Sequence, residues 1–124
     1  MRQKKEFYGV ILRGASEKRY LSRRGLHALC REMANITDAE WNVPKKDGTS
    51  LYANRIDFAK LDLRIAGLVQ PYCGKRGCFC LTDLGREAVE WPASELLSFV
   101  NEKIIGSRHE KGNKGMDVKS YIHF

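Results

Sequence analysis

Ser50–Thr82, SLYANRIDFAKLDLRIAGLVQPYCGKRGCFCLT, is the stretch whose reading decides the fold. Tyr52, Ile56, Ala59, Leu63 and Ala66 recur at helical spacing and form one apolar face, while Asn54, Asp57, Lys60 and Arg64 lie away from it. Gly67 stands where a helix C-terminus needs a residue that tolerates positive φ, and Leu68-Val69-Gln70 then turns extended before Pro71. Cys73 and Cys78-Phe79-Cys80-Leu81 flank the tip Gly74-Lys75-Arg76-Gly77, whose glycines permit a tight reversal and whose two cations project from it. A helix followed by a hairpin with a cationic tip is the outline of a winged helix, in which the helix enters the DNA major groove and the wing touches the backbone.

Working outward, Thr37-Asp38-Ala39-Glu40 is a capping box that opens a short helix, with Trp41 as its anchor and Pro44 as its stop. The loop Lys45-Lys46-Asp47-Gly48 brings two lysines to the start of the long helix, which Thr49 or Ser50 caps and whose free N–H groups suit a phosphate. Further back, Ser22 caps a helix running to Met33 with Leu26, Leu29, Cys30 and Met33 as its buried stripe. Arg23 and Arg24 in its first turn oppose the helix dipole, a modest argument for a nearby anion. Lys18–Leu21 reads as a short extended stretch, and Lys5–Arg13 as a first helix with Phe7, Val10 and Ile11 inward and Gly14 as its end. Downstream, Thr82 caps a helix over Asp83–Glu90, and Trp91-Pro92 punctuates before a helix from Ser94 to Lys103. Its Leu96, Leu97, Phe99, Val100 and Ile104 either pack back on the domain or pair with a partner. Residues 106–119, GSRHEKGNKGMDVK, are too polar and glycine-rich for a core and are expected to be mobile. The closing Tyr121-Ile122-His123-Phe124 suits a docking tail or the lead into a further domain.

Asn54-Arg55-Ile56, Phe58-Ala59, Leu63, Ala66-Gly67-Leu68, Arg76-Gly77, Leu81-Thr82 and Gly85-Arg86 together carry a resemblance. The chain is similar to the N-terminal winged-helix domain of the Mrr family of restriction endonucleases, which act on modified DNA. The resemblance extends over residues 5–90 and is densest from 54 to 86. It implies a DNA-binding module; in the full-length enzymes a separate nuclease domain cuts the DNA, so a nuclease domain or subunit is an implied partner.

The chain has 124 residues, room for one core and not for such an enzyme. The expected division is a winged-helix domain over 1–91, a packing or dimerising helix over 92–105 and a flexible tail over 106–124. No run approaches the roughly 20 apolar residues of a membrane span, and the apolar segment near the N-terminus is broken by Arg13 too soon for a signal peptide. A soluble, cytoplasmic protein with four reduced cysteines is the expectation. The net charge is +7, and residues 1–31 hold nine Lys and Arg against two Glu, so the whole excess is N-terminal. Such a surplus suits phosphate contact, which raises affinity in a salt-sensitive way without reading sequence.

Chemistry-bearing patterns are few. Cys73, Cys78 and Cys80 make C-x4-C-x-C, which lacks the paired C-x-x-C spacing of structural zinc sites, and Cys78 and Cys80 fall on one face of a strand with Phe79 on the other. Asp117-Val118-Lys119 matches half of a nuclease motif but has no sheet to hold a second acid beside it. His27 has no nucleophile arranged with it, and His109 and His123 belong to the tail. No metal, cofactor or catalytic residue is therefore expected. On the long helix, Ser50, Asn54 and Asp57 are the candidate base readers: Asn54 suits adenine, and Asp57 a cytosine amino group. Lys45, Lys46, Lys60, Arg64, Lys75, Arg76, Arg23 and Arg24 are the candidate backbone contacts, and Arg55 divides between DNA and an internal salt bridge. The reading is a mainly α (α+β) winged helix-turn-helix with a two-stranded wing that binds double-stranded DNA and is not an enzyme. The alternatives are a small transcriptional regulator dimerising through 94–105, and a protein-interaction winged helix that Asp57 and Asp62, unwelcome near phosphates, keep open.

Overall fold

A computed structural model of the chain describes residues 3–114, with side chains as far as residue 107. A 3-10 turn, Lys4–Phe7, leads into α1, Tyr8–Ser16; β1, Leu21–Ser22; α2, Arg23–Met33; α3, Asp38–Trp41; and α4, Leu51–Ile65. Then follow β2, Val69–Pro71; β3, Cys78–Leu81; α5, Asp83–Ala88; and α6, Ala93–Lys114. The fold is mainly helical with one small antiparallel sheet, the α+β winged-helix-like class that the sequence pattern indicates.

The helices begin where side-chain oxygens meet otherwise unpaired N–H groups. The hydroxyls of Ser22, Ser50 and Thr82 accept from the amides of Gly25, Ala53 and Gly85 at 3.0, 3.1 and 3.0 Å, and Thr37 and Glu40 form the reciprocal capping box. The exits are equally explicit. At the end of α4, Gly67 takes φ +80°, its N–H donates to Arg64 O at 3.0 Å, and Leu68 N–H donates to Leu63 O at 2.9 Å. The same pair of bonds ends α2 with Asn35 in the left-handed position at φ 52° and Ile36 buried beyond it.

The core gathers Phe7, Ile11, Leu12, Leu26, Ile56, Leu63, Leu68 and Val100, all fully buried. All five residues of the apolar face of α4 are buried, and Tyr52 meets Phe7 edge-on at 6.3 Å. Gly14 does not end the first helix. It lies inside α1 at the crossing with α2, where a Cβ would fall 1.9 Å from Leu29 Cδ2. Met33, placed by periodicity on the buried stripe of α2, is 42% exposed, because the chain leaves the helix there and Ile36 fills the core instead.

The sheet has three strands, not two. β3 lies in the middle, pairing with β2 as Val69↔Leu81, Gln70↔Cys80 and Pro71↔Phe79, and with β1 as Leu21↔Phe79 and Ser22↔Cys78. Pro71, which has no N–H to give, sits on an edge strand. Phe79 and Leu81 face the core while Cys78 and Cys80 share the other face, as the alternation requires. α6 turns Leu96, Val100 and Ile104 into the domain, with Trp91 edge-on to Phe99 at 5.1 Å. The helix continues to Lys114, beyond the Lys103 at which the polar composition places its end; the Asp117-Val118-Lys119 match, His123 and the apolar C-terminal tetrapeptide lie outside the described residues.

Candidate nucleic-acid interface

The candidate interface comprises two elements that the core holds outward, α4 and the β2–β3 hairpin. Ser50 opens α4, and its hydroxyl is spent there: it accepts from Ala53 N–H and donates to the Trp41 carbonyl at 2.7 Å, fixing α4 to α3. Asn54 is partly exposed one turn on, and its side-chain amide makes no hydrogen bond with any described residue. Lys60 and Arg64 follow along the helix, with the Lys60 ammonium 5.4 Å from the Phe79 ring centre. Between this side of α4 and the hairpin lies an open groove of about 350 Å³, lined by Lys60, Leu61, Arg64, Gln70, Pro71 and Cys78 among others.

Asp57 is not a free acceptor on this surface. Arg23, at the start of α2, donates Nε and Nη2 to its Oδ2 at 3.1 and 2.8 Å, and His27 Nε2 lies 2.7 Å from Oδ1. Both oxygens are thus engaged across the α2–α4 contact, and the His27 ring meets Trp41 edge-on at 5.4 Å. Burial raises the Asp57 pKa, but the bonds from His27 and Arg23 outweigh it, and the carboxyl is held below its usual range. The second acid of the helix, Asp62, is buried at 5% exposure, accepting from the Tyr8 hydroxyl at 2.5 Å and pairing with Lys4 Nζ at 2.8 Å. Burial and this carboxylate push the Tyr8 phenol far above the ordinary tyrosine range. Both acids of α4 are therefore engaged by partners from the first 27 residues, Asp62 in the core and Asp57 at its edge, 28% exposed.

At the hairpin tip, Gly77 takes φ 78° and Lys75 and Arg76 are exposed. Tyr20, just before β1, stacks on Tyr72 with ring centres 4.9 Å apart, and Lys75 Nζ lies 5.3 Å above the Tyr20 ring. Bonding to the Tyr20 hydroxyl raises the Lys75 pKa, so this cation stays charged at any physiological pH. The Lys45–Gly48 loop closes on itself through Lys45 N–H to Thr49 O at 2.8 Å and the bridge Pro44↔Ser50. Within it Lys45 reaches Asp47 at 3.7 Å, whereas Lys46 is exposed and forms no ion pair with any described residue. Arg24 is likewise exposed and unpaired among the described residues. Arg55 sits with its guanidinium 6.0 Å from the Tyr52 ring centre.

Sequence reasoning passed over Phe58 on this surface, although it is 49% exposed on α4. Its spacing, off the apolar face by about 100° per residue from Ala59, was the available signal. Among the described residues, no cluster of three or more His, Cys, Asp or Glu is placed to hold a metal ion, and no helix is long and apolar enough to cross a membrane. Cys30 is buried and its thiol is pushed up to about 12 by that burial, which removes it from thiolate chemistry at neutral pH.

Helices α1, α2 and α4 about one core, with the hairpin closing on β1, define a winged-helix-like domain. The family model for the Mrr N-terminal domain matches residues 5–90, more than two thirds of the chain, and the chain belongs to that family. No curated protein and no solved structure matches it.

Proposed function

We propose that this domain binds double-stranded DNA, with α4 in the major groove and the β2–β3 hairpin against the backbone, and that it does no chemistry and needs no cofactor. The pairing of Asp57 and Asp62 carries this reading, because it offsets both negative charges of α4, Asp62 within the core and Asp57 against Arg23 and His27, on the helix a phosphate backbone would approach. What remains outward is Asn54 as the base-reading amide, with Lys60, Arg64, Lys75, Arg76, Lys46 and Arg24 as phosphate contacts. Ser50 and Asp57 act on the DNA through position: Ser50 by fixing the start of α4, Asp57 by holding Arg23, 66% exposed, beside it. Membership of the Mrr N-terminal domain family supports a place in a restriction system, as the module that recognises modified DNA for a nuclease domain or subunit.

The test is fluorescence anisotropy on a random duplex across a salt series, plain and with modified cytosine or adenine. The expected result is a steep fall of affinity with salt. Replacing Lys75 and Arg76 by Ala should reduce the log–log slope by about 2, roughly 0.9 for each phosphate no longer neutralised. A preference for a modified duplex supports the restriction reading, and absence of binding at low salt would falsify DNA binding altogether.

A further inference from the structure

Phe58 breaks the pattern of α4. It is 49% exposed in the middle of the helix, and no described aromatic ring packs on it. By helical spacing it shares the outward ridge with Asn54, four residues before, and Leu61, three residues after, which is itself partly exposed. The ridge thus presents a hydrogen-bonding amide and then two apolar side chains. Around the helix on the Leu61 side, toward the hairpin groove, lie Arg64 and Lys60, and Arg23 reaches α4 through Asp57. An apolar ridge beside a cationic flank, with both acids of the helix paired, suits a polyanion that carries an apolar group beside hydrogen-bonding edges. In the DNA major groove that group is the C5-methyl of a pyrimidine, and thymine is its source in unmodified DNA. Four residues of helix advance about 6 Å, close to two base steps of about 3.4 Å each.

We propose that Phe58, closed in by Leu61, reads the C5-methyl group of a thymine about two base pairs from the adenine taken by Asn54. The inference rests on the DNA-binding reading and adds a specificity-determining residue to it. 5-Methylcytosine carries the same methyl group, so the test must separate the two bases.

A random duplex pool is selected on the full chain, and the enriched sequence is resynthesised in three forms: native, with uracil for thymine, and with uracil plus 5-methylcytosine for cytosine. Each is titrated by anisotropy against the wild type, Phe58→Ala and Phe58→Leu, with thermal melts to confirm that both variants fold. The wild type should lose about fourfold in affinity for each thymine methyl taken away from Phe58, the worth of one buried methyl group. Phe58→Ala should bind the native duplex more weakly and bind the uracil duplex equally well, while Phe58→Leu keeps the discrimination. Equal binding of native and uracil duplexes by the wild type overturns the proposal, as does a Phe58→Ala variant that still discriminates. A Phe58-dependent gain for 5-methylcytosine with none for thymine overturns the thymine assignment. Failure of the wild type to bind any duplex at low salt is a different result and removes the DNA-binding reading itself.

Discussion

Asp57 joins α2 to α4 through one carboxylate, and its protonation state is therefore part of the fold's stability. Its pKa in the folded chain lies below the ordinary aspartate value of about 3.9. A depressed acid contributes stability that is fully present above the unfolded pKa and is lost as the pH falls through the folded one. Asp57→Asn should accordingly lower the melting temperature at pH 7 by roughly 4 °C, about 1 kcal/mol for a pair that solvent still screens in part. Melts of both proteins from pH 7 to pH 2 check the sign: the gap should hold down to about pH 4 and close below it. A gap that widens in acid would mean that Asp57 is not held by charged partners. The sequence could not reveal this clamp, since Arg23 and His27 lie 34 and 30 residues from Asp57. Nothing local distinguishes such an acid from one that waits for a base.

At the scale of elements, most of the legible information was local. Ser22, Thr37, Ser50 and Thr82 cap helices because their hydroxyls reach an amide three residues on, a relation visible in the sequence itself. The exit at Gly67 and the apolar face of α4 were legible for the same reason. β1 is only two residues long and exists by pairing with β3, more than fifty positions away, so no pattern announces it as part of the sheet. Gly14 and Gly85 show why glycine is ambiguous in a sequence. Each stands where another part of the chain comes too close for a Cβ, but the neighbours differ. At Gly14 the obstacle is the end of the Leu29 side chain, 1.9 Å away, which can rotate; at Gly85 it is the backbone oxygen of Leu68, 2.0 Å away, which cannot. Gly85→Ala should therefore cost about 3 kcal/mol and Gly14→Ala distinctly less, within the range of overpacked cores. Urea denaturation of the two variants decides the order, and a more damaging Gly14→Ala would contradict the packing described.

Across the whole molecule, charge that is concentrated in the sequence is redistributed by folding. Of the nine cations in residues 1–31, Lys4, Arg23 and Arg31 pair with Asp62, Asp57 and Asp38, acids from later in the chain. A count of N-terminal cations thus overstates what is free to meet phosphate. Two of these pairs engage Asp57 and Asp62, the acids of α4 that keep a protein-interaction role open. In α6, Leu96, Val100 and Ile104 are buried within the chain and Leu97 and Phe99 half-buried, leaving Ile105, 65% exposed, as the exposed large apolar residue among the described side chains of the helix. One such side chain falls far short of a stable interface, which buries about 800 Å² per partner. Sedimentation should give a monomer at micromolar concentration, and a stable dimer would favour the alternative reading as a transcriptional regulator.

The hairpin leaves and re-enters the domain at a single point. Thr82 N–H donates to Leu68 O at 3.0 Å, and the Thr82 hydroxyl donates to Gly67 O at 2.6 Å, so the two feet of the wing are stitched together where α4 ends and α5 begins. Beyond the paired strands the tip meets the rest of the domain through Tyr20, which stacks on Tyr72 and lies under Lys75, so its length beyond Lys75 is only weakly constrained. Two glycines inserted between Lys75 and Arg76 should leave the melting temperature unchanged within about 2 °C, because lengthening a closed loop adds little entropy cost. The wing can therefore be shortened, lengthened or recharged while α4 stays where it is, and in the proposed DNA complex it would serve as a tuning arm for the distance to the backbone.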